Sequence, residues 1–131
     1  MRDLKFRAWN KNLIIPGSNE FMEYSDEKNG SLSRFFLHYP YSGTFMNGGA
    51  ERTIMQFTGL TDKNGKGIYE SDLIKQPYRN SGKPITVVFA YGCFQGKYGT
   101  DGINGLSYIL GAEEDGIEII GNIYESPDLL K

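Results

Sequence analysis

The chain has 131 residues, with 14 Lys plus Arg against 16 Asp plus Glu and a formal net charge of −2. That length suits one domain with a core large enough to stand without staples. The near-balanced charge argues against a dedicated nucleic-acid binder, which usually carries a strong basic excess. The single cysteine, Cys93, excludes an intrachain disulfide and a multi-cysteine metal site.

A bias toward Tyr, Phe and Gly favours strands and tight turns over helices. No stretch is long and apolar enough for a spanning helix. The opening Met1-Arg2-Asp3-Leu4-Lys5-Phe6 lacks an apolar signal core, so a soluble intracellular protein is expected. Arg2, Lys5, Arg7 and Lys11 make the start basic, and Glu113, Glu114, Asp115, Glu118, Glu125 and Asp128 make the end acidic. Two solvated faces explain this; complementary patches meeting between subunits are the sharper alternative.

In chain order, Leu4, Phe6 and Ala8 alternate with Lys5, Arg7 and Trp9, which predicts a strand with one buried face and Trp9 on the more polar one, where it needs another cover. Asn10-Lys11-Asn12 reads as a turn, and Leu13-Ile14-Ile15 as a short returning strand stopped by Pro16-Gly17. Phe21, Met22 and Tyr24 alternate poorly. Asp26-Glu27-Lys28-Asn29-Gly30 is a polar turn, residues 31–39 fit a short helix or a strand, and Asn47-Gly48-Gly49 is a flexible loop. Residues 11–52 are read as a variable insertion or subdomain on the main fold.

Residues 53–57 are β-prone, and Thr61-Asp62-Lys63-Asn64-Gly65-Lys66 is the clearest turn, since Asn and Gly tolerate the positive φ of hairpin tips. Leu73-Ile74-Lys75 is a short strand. Ile85-Thr86-Val87-Val88-Phe89 is a continuous β-rich run and the best candidate for a central strand. Tyr91-Gly92 turns it into Cys93-Phe94-Gln95, a loop rich in Gly, Asn and Asp covers 97–105, and residues 106–110 form a strand or turn. Ile117, Ile119 and Ile120 pack the last strand, Gly121-Asn122 marks a bulge or bend, and Pro127 starts a terminal turn ending at Leu129-Leu130. Residues 53–124 should form a bent antiparallel sheet, with Phe6, Phe57, Ile74, Val88 and Ile119 in the core.

Several segments chemically suggestive at first sight have plainer readings. Asp62-Lys63-Asn64-Gly65-Lys66-Gly67 resembles a calcium loop, but Lys66 and Leu73 stand where an EF-hand needs an oxygen ligand and a Glu. Cys93 and His38 could form a nucleophilic pair only with spatial contact and an orienting group. A lone His is poor zinc chemistry, so no metal is expected. Glu113-Glu114-Asp115 is a solvated turn before it is an acid–base pair. Glu70 and Asp72 should share one side of a strand and accept backbone hydrogen bonds near Asn64-Gly65-Lys66. Gly96, Gly99, Gly102 and Gly105 lack the Gly-Lys-Ser/Thr ending of a phosphate loop. Arg7 with Trp9, and Lys75, Arg79 and Lys83 with Tyr78, mix cations and aromatics as single-stranded nucleic-acid sites do.

Three segments carry a family likeness. Lys5-Phe6-Arg7-Ala8-Trp9-Asn10, the block from Met55 through Gly59, Asp62, Asn64, Gly65, Tyr69 and Glu70 to Asp72, and the closing Ile119-Ile120-Gly121-Asn122-Ile123-Tyr124-Glu125 resemble the opening, central and terminal signatures of the YopX-like family, encoded mainly by bacteriophages and prophages. Asn10 stands where that family tends to have Asp, Ser71 where it usually has Gly, and Ser126 where it has Asn before Pro127; Ala90-Tyr91-Gly92-Cys93-Phe94 replaces an acidic-Gly-Ala-Phe pattern. The resemblance implies a mostly β fold with an SH3-like pseudo-barrel and a phage-related setting; with the length and the missing signal core, a single domain over residues 1–131 in the bacterial host cytoplasm is expected. The resemblance implies no enzymatic activity and no cofactor. It marks Trp9, Gly59, Asp62, Asn64, Gly65, Tyr69, Glu70, Asp72, Gly121, Asn122 and Tyr124 as structural.

The leading expectation is a phage accessory protein acting as a non-enzymatic interaction module, partnered by a host or phage macromolecule or by further copies of itself. A single-stranded nucleic-acid-binding barrel is the first alternative, and an enzyme with an unrecognised carboxylate site the second.

Overall fold

A computed structural model describes residues 5–25, 44–47, 50–76, 83–90, 92–97 and 116–130. The protein is mostly β, with two antiparallel sheets, one curled into a half-barrel. The strands are β1 (Phe6–Asn12), β2 (Phe21–Tyr24), β3 (Thr44–Asn47), β4 (Ala50–Thr61), β5 (Gly67–Tyr69), β6 (Asp72–Lys75), β7 (Ile85–Ala90), β8 (Cys93–Lys97) and β9 (Glu118–Asn122), followed by a 3₁₀ turn at Pro127–Leu130. The first sheet runs β2-β1-β4-β3, with β5 pairing β4 off that path; the second runs β8-β7-β6-β9. Two compact units divide the chain, Met1–Phe57 and Thr58–Lys131.

In the first unit, β1 lies between β2 and β4, with Ala8 opposite Glu23 on one side and Ile54 on the other. The expectation of one buried face fails here: Arg7, Ala8, Trp9 and Asn10 are all buried. Alternation marks a strand covered on a single face, whereas this inner strand is covered on both. Asn10 does not turn the chain; its Oδ1 accepts from Arg52 Nε at 3.1 Å on the neighbouring strand. The strand runs to Asn12, and Leu13-Ile14-Ile15 do not return as a strand. They form an exposed bend, and the return begins at Phe21. Within the stretch read as an insertion, β2 and β3 add strands to this sheet. The polar turn at 26–30, the element at 31–39 and Gly48-Gly49 lie outside the described residues.

In the second unit, β6 and β7 are the inner strands, as the β-branched run at 85–89 implies. Ile68, Ile74, Ile85, Val87, Phe94 and Ile117 form its core, with Leu60 and Ile119 packed against it. The burial alternates along β7, placing Ile85 and Val87 inward and Val88 on the other face, half-buried. Of the core residues expected from sequence, Phe57 and Ile74 are buried, while Phe6, Val88 and Ile119 are half-buried. Truncating Ile74 to Ala should therefore destabilise the protein by about 3 kcal/mol, and Val88 to Ala by about 1 kcal/mol or less. Urea midpoints of the two variants check the ordering.

The end of β9 is bulged. Leu73 faces Gly121 and Ile74 faces Ile119, so Ile120 is the extra residue. The bend read from Gly121-Asn122 is therefore present, and the terminal turn at Pro127–Leu130 follows it. Of the loop read over 97–105, Lys97 instead ends β8; residues 98–105 and the element at 106–110 lie outside the described residues.

Candidate functional site

Asp62, Asp72 and Asn122, polar residues of the central and terminal signatures, each accept hydrogen bonds from backbone N–H groups. Asp62 closes β4 at the hairpin tip. Its Oδ1 accepts from Asn64 N at 2.9 Å and Lys66 N at 3.0 Å, and its Oδ2 accepts from Ile119 N at 3.1 Å. Asp62 N donates to Lys66 O, Gly65 N donates to Asp62 O, and Gly65 holds φ at +83°. Lys63 N donates to Ile117 O at 2.8 Å, and Lys63 Nζ lies 3.8 Å from Glu118 Oε1. One carboxylate thus both folds its own turn and anchors the start of β9. Burial pushes its pKa up, but the N–H groups of Ile119, Lys66 and Asn64, with the charge of Lys66, outweigh burial and hold it below 3.8.

Next along, β5 and β6 are joined by a turn at Glu70-Ser71. Asp72 is buried, and its Oδ2 accepts from Tyr69 N at 2.8 Å. The reading that Glu70 and Asp72 share one strand beside Asn64-Gly65-Lys66 is corrected here. The chain turns between them, and the carboxylate serving that hairpin is Asp62. Ser71 sits at φ +71°, a left-handed conformation that costs a non-glycine residue about 1 kcal/mol. The Gly usual in the resembling family would avoid that strain. Ser71 N donates to Val87 O at 2.7 Å and Ser71 O accepts from Ile123 N at 3.0 Å, so this strained residue ties β7 to the turn after β9.

Asn122 organises that last turn. Its Oδ1 accepts from Tyr124 N at 3.0 Å and Glu125 N at 2.8 Å, and its Nδ2 donates to Glu125 Oε1 at 2.8 Å. Gly59, at φ +90°, lets β4 bend where Thr58 Oγ1 accepts from Leu60 N and donates to Ile68 O at 2.8 Å.

The nucleic-acid candidates are dispersed in character. Arg7 and Trp9 are only 2 % and 8 % exposed, which withdraws them from stacking on bases. Lys75 and Lys83 are exposed, and Tyr78 and Arg79 lie outside the described residues. Cys93 is half-buried; its thiol lies 3.7 Å from Ala90 O and accepts from Gln95 Nε2 at 3.4 Å. His38 and Glu113-Glu114-Asp115 lie outside the described residues, as do Gly99, Gly102 and Gly105. Among the described residues no three His, Cys, Asp or Glu side chains gather as metal ligands.

One feature escaped sequence reading. Asn12 Oδ1 accepts from Ile14 N and Ile15 N, both at 2.9 Å, and its Nδ2 donates to Ser18 O at 2.9 Å. Asn12 N donates to Glu20 Oε2 at 3.0 Å, and Gly17 at φ +86° and Asn19 at φ +55° complete the bend. This frame holds Leu13, Ile14 and Ile15 outward at 39 %, 75 % and 61 % exposure, and Phe21 at 51 %. An Asn ahead of a Pro-Gly pair was the available signal, outweighed by the apolar run.

The YopX protein family model matches residues 5–131. The chain belongs to the YopX family. Nearly the whole chain is therefore family sequence, residues 11–52 included. Among solved structures, the crystal structure of protein EF1440 from Enterococcus faecalis is similar to this YopX-family chain at 25 % identity, with all of both chains covered and a TM-score of 0.52. A comparison with curated proteins gave no significant match. Among the described residues, no helix is long and apolar enough to cross a membrane.

Proposed function

We propose that the protein is a phage or prophage accessory protein, working in the bacterial host cytoplasm as a non-enzymatic β-barrel interaction module that associates with itself. The observation carrying this reading is the loop that Asn12 frames. Scattered exposed apolar residues are ordinary, but three consecutive exposed aliphatic residues held outward by one loop are a patch, and Phe21 at the start of β2 is exposed as well. A loop with its own hydrogen-bonded frame presents that patch at lower entropic cost than a floppy one. The polar signature residues, spent on backbone, support a scaffold rather than a catalyst. Of the six residues offered for a nucleic-acid site, the burial of Arg7 and Trp9 removes two.

Light scattering tests the reading. The wild-type protein should show a mass above that of one chain, and the Ile14→Asp/Ile15→Asp variant a single-chain mass with an unchanged circular-dichroism spectrum, because both positions are exposed. A single-chain mass for the wild type at every concentration contradicts self-association. Salt-sensitive retention of such a monomer on single-stranded DNA would favour the nucleic-acid alternative instead.

A further inference from the structure

We infer that Asn64-Gly65 is a site of spontaneous deamidation that Asp62 keeps closed. The reaction needs the Gly65 backbone nitrogen, having given up its proton, to attack Asn64 Cγ. A new N–Cγ bond closes a cyclic imide as the side-chain nitrogen leaves as ammonia. Water then opens the ring at either carbonyl, leaving Asp or isoaspartate at position 64; no oxidant or reductant is involved. Both chemical requirements are present. Asn64 is exposed, and the attacking nitrogen belongs to a glycine with nothing within 4 Å of where a Cβ would lie.

The turn withholds the nucleophile. Gly65 N–H is donated to Asp62 O at 2.9 Å, and the amides on either side, Asn64 N and Lys66 N, are donated to Asp62 Oδ1 at 2.9 Å and 3.0 Å. Three successive amides are thus fastened to one residue. Bringing Gly65 N onto Asn64 Cγ rotates the peptide between them and breaks that set together, so reaction waits on local opening of the tip. The consequence reaches β9. Isoaspartate inserts an extra carbon into the backbone between residues 64 and 65, which displaces Lys66 N from Asp62. The same carboxylate holds Ile119 N at 3.1 Å, so the modified tip no longer anchors the last strand as the native one does.

Peptide mapping by mass spectrometry, after incubation at neutral pH, tests the inference. In the folded wild type, deamidation at Asn64 should be at least about tenfold slower than in the same chain unfolded in urea, because it requires opening. The Asp62→Ala variant keeps the backbone acceptor of Gly65 N–H but removes the side-chain acceptor of its two neighbours, so it should raise the folded-state rate part of the way to the urea value, while Asp62→Asn, which keeps an oxygen acceptor for those neighbours, should stay slower than Asp62→Ala. Asn29, Asn47 and Asn104, also followed by Gly, report the intrinsic rate in the urea samples. Equal rates for Asn64 in folded and unfolded wild type would overturn the inference, even if Asp62→Ala failed to fold. So would a folded Asp62→Ala protein with an unchanged rate.

Discussion

Replacing Asp62 with Ala is expected to destabilise the protein by about 3 kcal/mol, because it strips the acceptor from three backbone N–H groups at once and each bond to an ionised group is worth more than a neutral one. Two of those donors, Asn64 N and Lys66 N, belong to the hairpin tip, and the third, Ile119 N, belongs to a strand 57 residues away in sequence. The loss should therefore exceed that of an ordinary turn residue, whose bonds are all local. A pH dependence accompanies it. Asp62 is held below 3.8 in the folded chain, so its contribution is fully present above 3.8 and is lost as pH falls through the depressed folded value. Urea unfolding across the acid range should show this component in the wild type and not in Asp62→Ala. A variant with wild-type stability at neutral pH would remove Asp62 from the account.

Gly121→Ala should cost about 2 kcal/mol by overpacking. A Cβ at position 121 would overlap Ser126 Oγ and lie 2.7 Å from Ser126 Cβ, with Leu129 Cδ1 at 3.2 Å. Relief is awkward, since Ser126 N donates to Asn122 O at 2.9 Å and Leu129 N donates to Ser126 O at 3.1 Å. The terminal turn is thus pinned over the glycine. Adding Ser126→Gly should recover a substantial part of the loss, because it removes the nearest two atoms. Thermal midpoints of the single and double variants measure both effects. No recovery in the double variant would place the cost elsewhere than in this close approach.

What could be read in the chain, and what could not, follows from how local each determinant is. Asn64-Gly65 announced its turn because the positive φ it needs sits on Gly65 itself, and Gly121-Asn122 marked the end of β9 next to the bulge at Ile120. The run at 85–89 announced an inner strand, but five consecutive strand-formers carry no phase. Val87, not Val88, faces the core. Arg7 and Asn10 run against the pattern because alternation assumes a solvent face, and the folded chain leaves none for these residues, while Trp9 has the further cover its size requires. Leu13-Ile14-Ile15 looked like a strand on hydropathy alone. The Asn12 side chain diverts it by capturing two of its amides, a hydrogen-bond competition that composition does not register. Glu70 and Asp72 were put on one strand because nothing in Ser71's identity signals a positive φ; a glycine there would have done so. The long-range use of Asp62, reaching Ile119, is legible only in the folded chain.

Asp62 is the centre of the backbone-holding contacts that the family signatures make. Amide hydrogen exchange at Ile119 tests that most directly, in the wild type against Asp62→Ala. The wild-type amide should exchange among the slowest of the second unit, and the substitution should speed it about tenfold or more through loss of a charge-assisted bond. An Ile119 amide that exchanges equally fast in both proteins would contradict the account.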